Sequence, residues 1–209
     1  GPVLLFDNKS HNFYNNSEYF PKKPMPEYIW RDSRFDNFYD RYNSEDYFEA
    51  QINNENSIQM AEVLTQEERT ERDSDGRTRT TTVTRFHGLF AKIVMDKSIK
   101  SELRIIQNGI FNLGNKLEMD STEFEKYFDV QASDKIIGMQ ILTADIMEEL
   151  IEFENNTKMK FDIFIKDNDI YLRFYSGEMF EPGSIKKEAV DKETIKKYFY
   201  MCNTYSNIM

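Results

Sequence analysis

The sequence is short of the residues that usually announce chemistry: one cysteine, Cys202, and two histidines, His11 and His87, in 209 positions. A single cysteine excludes an intrachain disulfide framework. Two histidines and one thiol cannot make a familiar zinc site without several carboxylates. Cys202 falls in a helical pattern and reads as a small buried apolar residue rather than a nucleophile. Long apolar runs are missing too. No window approaches the ~20 apolar residues of a membrane-spanning helix, and no signal peptide is visible. Gly1-Pro2 reads as the remnant of tag removal, so the natural chain is expected to extend upstream.

Positive charge is the scarcer sign. Twenty-seven Lys and Arg against 37 Asp and Glu leave a net charge of -10. The basic pairs Lys22-Lys23, Lys186-Lys187 and Lys196-Lys197 each stand beside acidic residues. No basic patch therefore emerges, and nucleic acid is excluded as a partner.

Aromatic residues are abundant: 17 Phe and 12 Tyr within a 39% hydrophobic composition describe a chain that folds. The length suits one well-buried core with some decoration. Residues 1–34 are polar and aromatic by turns and interrupted by Pro21, Pro24 and Pro26, which predicts an extended arm. Residues 35–209 are expected to form a single α+β domain.

Within that domain, Phe35, Phe38, Tyr39 and Tyr42 recur at helical spacing and predict a short amphipathic helix. Residues 57–72 and 77–96, joined by Asp73-Ser74-Asp75-Gly76, predict a long hairpin with a charged, Thr-rich tip. Gly88 marks an expected bulge within it. Another strand follows over 102–107. Asp120-Ser121-Thr122-Glu123 before Phe124 and Phe128 predicts a short capped helix, then a strand over 129–133. Thr143 caps a longer helix carrying Ile146, Met147, Leu150 and Ile151 on one face. Residues 161–165 and 170–175 predict a hairpin through Asp167-Asn168-Asp169. A terminal helix from Asp191 aligns Ile195, Tyr198, Phe199, Cys202 and Tyr205. Strands linked by hairpins rather than alternating with helices give an α+β fold, an antiparallel sheet packed against two or three helices.

Three motifs fail on their own chemistry. Gly109 to Lys116 has two glycines five apart near a lysine, yet Asn115 precedes Lys116 and Leu117 follows it, where a phosphate-binding loop needs Lys and then Ser or Thr. Asp73 to Gly76 lacks the remaining ligands of a calcium loop and reads as a turn. Carboxylates are too many for spacing to single out an acid/base pair. No catalytic residue, metal ligand or cofactor is expected. The functional candidates are aromatic: Phe13, Tyr14, Tyr19, Phe20, Tyr28 and Trp30 either anchor a partner or pin the arm to its own core. Tyr28, Trp30 and Phe35 are the binding residues selected on that ground.

A set of ordered landmarks completes the reading: Ser44-Glu45-Asp46-Tyr47-Phe48, Phe86-His87-Gly88-Leu89-Phe90, the run from Asp120 to Val130, Ile141-Leu142-Thr143 with Met147, Ile170-Tyr171-Leu172 and Phe180-Glu181. Together they resemble bacterial proteins grouped as domain-of-unknown-function family 3137. The resemblance implies membrane helices upstream of this region and a membrane-associated protein whose present part faces the cytoplasm. It supplies no catalytic residue. The function expected is a protein-interaction or regulatory module with a protein or peptide partner. A small-ligand or lipid sensor and a carboxylate-based hydrolase are the alternatives, and the oligomeric state is open.

Overall fold

The buried alternation of Val, Ile and Phe is spent on one antiparallel sheet. The computed structural model describes residues 15–51, 56–72, 75–107 and 116–177. In chain order these form β1 (Asn15–Phe20), α1 (Glu27–Asp32), β2 (Arg41–Gln51), β3 (Ser57–Arg72), β4 (Thr78–Gln107), β5 (Lys116–Leu117), a 3-10 turn (Phe124–Lys126), β6 (Phe128–Ala132), α2 (Lys135–Ile141), α3 (Ala144–Thr157) and β7 (Phe161–Phe174). Every strand pairing is antiparallel. The fold is α+β, with the sheet outweighing the helices.

β4 and β7 turn back on themselves. A straight β7 would hold Asp162 and Arg173 roughly 36 Å apart at the rise of a strand, yet their side chains meet at 2.7 Å. The Tyr175 amide donates to the Lys160 carbonyl at 2.9 Å. The ring centroids of Phe161 and Phe174, and those of Phe164 and Tyr171, lie 6.0 Å apart. All four pairs are centred on one turn, at which Asp167 adopts φ 54°. β7 is thus a hairpin, as the sequence predicts. β4 runs down one side of it, pairing Leu89–Val94 with Phe174–Asp169, and back along the other, pairing Leu103–Ile106 with Ile165–Asp162. The second leg of β4 is the strand expected over 102–107.

Being central, the hairpin is buried on both faces. Ile163, Ile165, Ile170, Leu172 and Phe174 point to the face covered by α2, α3 and the 3-10 turn. Phe164 and Tyr171 point to the opposite face, where Met25, Ile29 and Trp30 lie over Phe86 and Phe90. Five rings, Phe124, Phe128, Phe153, Phe161 and Phe174, pack together under α3 with centroids 5.0 to 6.1 Å apart.

Some local expectations give way. The segment read as an extended arm supplies both β1, paired with β2, and α1. Its prolines do not forbid the helix, because Pro26 stands at the N-cap, where a missing N–H costs nothing. Residues 35–42 are not helical. The Phe38 amide bonds the Asp36 side chain at 2.8 Å, and the Asp40 amide reaches the Gln66 carbonyl at 2.8 Å, which carries the chain into β2. The bulge lies at Thr65/Gln66, not at Gly88. Gly88 serves a close approach instead: a Cβ there would stand 2.0 Å from the Phe174 carbonyl oxygen. The predicted helix after Asp120 is only the 3-10 turn, capped by Ser121 Oγ accepting from the Phe124 amide at 3.2 Å. The terminal helix from Asp191 and the loop from Gly109 lie outside the described residues.

Candidate functional site

Seven residues, Lys135-Ile-Ile-Gly-Met-Gln-Ile141, make a short helix whose outer face carries Ile136 and Met139 between exposed Lys135 and Gln140. Its start is set by Asp134, whose carboxylate accepts from the amides of Ile136 at 2.9 Å and Ile137 at 3.1 Å. Gly138 brings it down onto the sheet: a Cβ there would lie 2.8 Å from Ala132 Cβ and 3.0 Å from Leu117 Cδ2. Ile137 and Ile141 pack inward on the main core. That leaves Ile136, 70% exposed, and Met139, 44% exposed, on the outer side. Three residues apart, they are neighbours on the helix surface.

This pair stands beside the end of the sheet. β5 bonds only to β6 among the described residues, through Lys116 with Gln131 and Leu117 with Val130. An apolar knob next to a short terminal strand is an arrangement that accepts a protein segment. Sequence reading missed α2, although an Asp cap before Ile136, Ile137, Met139 and Ile141 was a legible signal.

The three aromatic residues selected from the sequence do not form one surface. Trp30 is fully buried (0% exposed), stacked on Phe86 and edge-on to Phe90 with centroids 5.0 Å away in both cases. Two positions earlier on α1, Tyr28 turns outward and is 64% exposed. Phe35 is half-buried and covers the Arg173 guanidinium at 4.6 Å. Trp30 has no surface to offer a partner, so a site containing all three is not present. The sequence could not show which side of α1 faces the sheet, because that helix was not foreseen.

The buried charges are occupied. Asp162 accepts from Arg173 Nε at 2.7 Å, from the Gln107 amide at 3.2 Å and from the Tyr175 hydroxyl at 3.3 Å. An acid so engaged has nothing left for proton transfer to a substrate. Burial pushes the Tyr42 hydroxyl up to about 12 and raises Tyr47, Tyr171 and Tyr175 as well, so these groups stay protonated and donate hydrogen bonds. Among the described residues, no group of three or more His, Cys, Asp or Glu could hold a metal ion. No helix among them is long and apolar enough to cross a membrane.

Comparison with known proteins adds the following. The family model described as "Protein of unknown function (DUF3137)" matches residues 84–209. No curated protein matches the sequence. Among solved structures, the crystal structure of the mycobacterial trehalose monomycolate transport factor A, TtfA, shares 6% sequence identity, covers 92% of this chain and 88% of its own, and has a TM-score of 0.48.

Proposed function

We propose that this chain, which belongs to the DUF3137 family, is a protein-interaction module whose partner docks on the outer face of α2. The observation that carries the reading is the exposure of Ile136 and Met139, side by side on a helix whose other side is fixed to the core. Covering two such side chains gains roughly 1.5–3 kcal/mol for each that becomes fully buried. The adjacent strand β5, bonded only to β6 among the described residues, offers an edge for a partner's backbone. The rings packed on each other under α3 favour a filled interior over a small-ligand chamber. Membrane attachment and a cytoplasmic position, expected from the family resemblance, belong to the same proposal and are tested by cell fractionation.

A photo-crosslinking amino acid at position 139, introduced into the protein in its own cells, tests the docking face. The expected result is a discrete heavier species that is absent with the crosslinker at exposed Glu149 and lost when Ile136→Asp is added. Equal labelling at 139 and 149, or labelling indifferent to Ile136→Asp, overturns the reading.

A further inference from the structure

Arg104 keeps a charge half out of water with no carboxylate in contact among the described residues. Its guanidinium lies over the Phe164 ring at 4.1 Å, and its Nη1 donates to the Arg34 carbonyl at 3.3 Å. Burial lowers its pKa and the charges of Arg34 and Arg173 push the same way, with Glu102 opposing. A ring face and one carbonyl are weak compensation for a desolvated cation.

Two more cations converge nearby. Arg34 follows α1 at φ 52°, in the left-handed position that usually falls to glycine. Its Nη1 reaches Glu102 Oε1 at 3.1 Å and Oε2 at 3.4 Å. Lys166, at the tip of the β7 hairpin, places Nζ 3.9 Å from the same Oε1. Two cations thus contact one carboxylate, with Arg104 beside them, in a chain of net charge -10. Glu102 sits two residues before Arg104, on the same side of its strand.

We propose that Arg34, Arg104 and Lys166 form a binding site for a phosphate group, and that Glu102 competes for it from within the chain. Arginine forks match a tetrahedral oxyanion by paired N–H bonds, and the stack on Phe164 holds one of them flat. Partial exclusion of water strengthens each bond. The phosphate belongs either to a soluble ester or to a lipid headgroup, since both present the same oxygens. This site is separate from the α2 face.

The test uses the whole chain and three probes: inorganic phosphate, glycerol 3-phosphate, and phosphatidylcholine vesicles with or without phosphatidylglycerol. Side-chain NMR of Arg104 Nε reports binding, with Trp30 fluorescence as a second signal. Saturable shifts are expected with at least one phosphate probe. The Trp30 response should vanish in Arg104→Met, whose apolar stem still covers Phe164, and both signals should weaken in Arg34→Gln. Affinity should rise about tenfold in Glu102→Gln, the equivalent of roughly 1.4 kcal/mol. Binding to soluble esters alone identifies a soluble ligand, and binding to phosphatidylglycerol vesicles alone identifies a headgroup. No response to any probe, an unchanged response in Arg104→Met, or no gain in Glu102→Gln overturns the proposal.

Discussion

Asp162 and Arg173 face each other across the central hairpin at 2.7 Å, with both side chains buried. The pair sits where the sheet is covered on each face, so neither charge can turn to water. Asp162→Asn leaves the guanidinium uncompensated and is expected to cost about 3–5 kcal/mol, read from urea unfolding. Replacing both residues together, Asp162→Leu with Arg173→Met, should recover most of that loss. A double variant as unstable as the single one would contradict the assignment.

Gly88 lies opposite Val63 in β3 and against the end of β7. Since a Cβ would come within 2.0 Å of a backbone oxygen, which cannot rotate away, Gly88→Ala should cost at least about 4 kcal/mol or prevent folding. Circular dichroism and urea titration distinguish these results from a neutral substitution. Gly177, with open space around it but φ 65°, isolates the backbone cost of a left-handed residue, about 1–2 kcal/mol, from the clash expected at Gly88.

Trp30 ties the N-terminal region to the sheet. Trp30→Ala should destabilise by about 3–5 kcal/mol. Its indole N–H is buried with no hydrogen-bond partner among the described residues, so Trp30→Phe removes an unmet donor and should cost far less. Thermal unfolding of the two variants side by side gives the comparison.

These cases show what the sequence made legible. Thr-, Val- and Ile-rich runs over 57–72 and 77–96, and the apolar runs 161–165 and 170–175, each pair joined by a turn sequence, named both hairpins. The N-terminal region was harder. Phe35, Phe38, Tyr39 and Tyr42 share a helical spacing, yet a local Asp36 turn and the non-local bond from the Asp40 amide to Gln66 of β3 settle their conformation. The α1 helix was hidden by reading Pro24 and Pro26 as breakers when Pro26 stands at its entrance. Tyr28, selected from the sequence, is exposed on α1 and lies outside the α2 face, and Ile136 and Met139 were not foreseen. Seven residues give too short a window for periodicity to register.

The buried tyrosines set an alkaline limit. The Tyr42 hydroxyl is raised from 10.0 to about 12 by burial. Below about pH 10 the folded and unfolded chains both keep this proton, and stability is unaffected. Between about pH 10 and 12 only the unfolded chain releases it, so stability must fall as the pH rises. Tyr47, Tyr171 and Tyr175 shift in the same direction and steepen the fall. Urea midpoints across this range should decline, with tyrosinate absorbance appearing together with unfolding. Tyr42→Phe should flatten the decline.

The stability of the Ile136→Asp, Met139→Asp double variant bears most directly on the interaction reading. If this face is left free for a partner, urea unfolding of the isolated chain should change by no more than about 0.5 kcal/mol, as for other surface substitutions. A loss of about 2 kcal/mol or more would mean that the chain covers the face itself, and the docking surface would have to be given up.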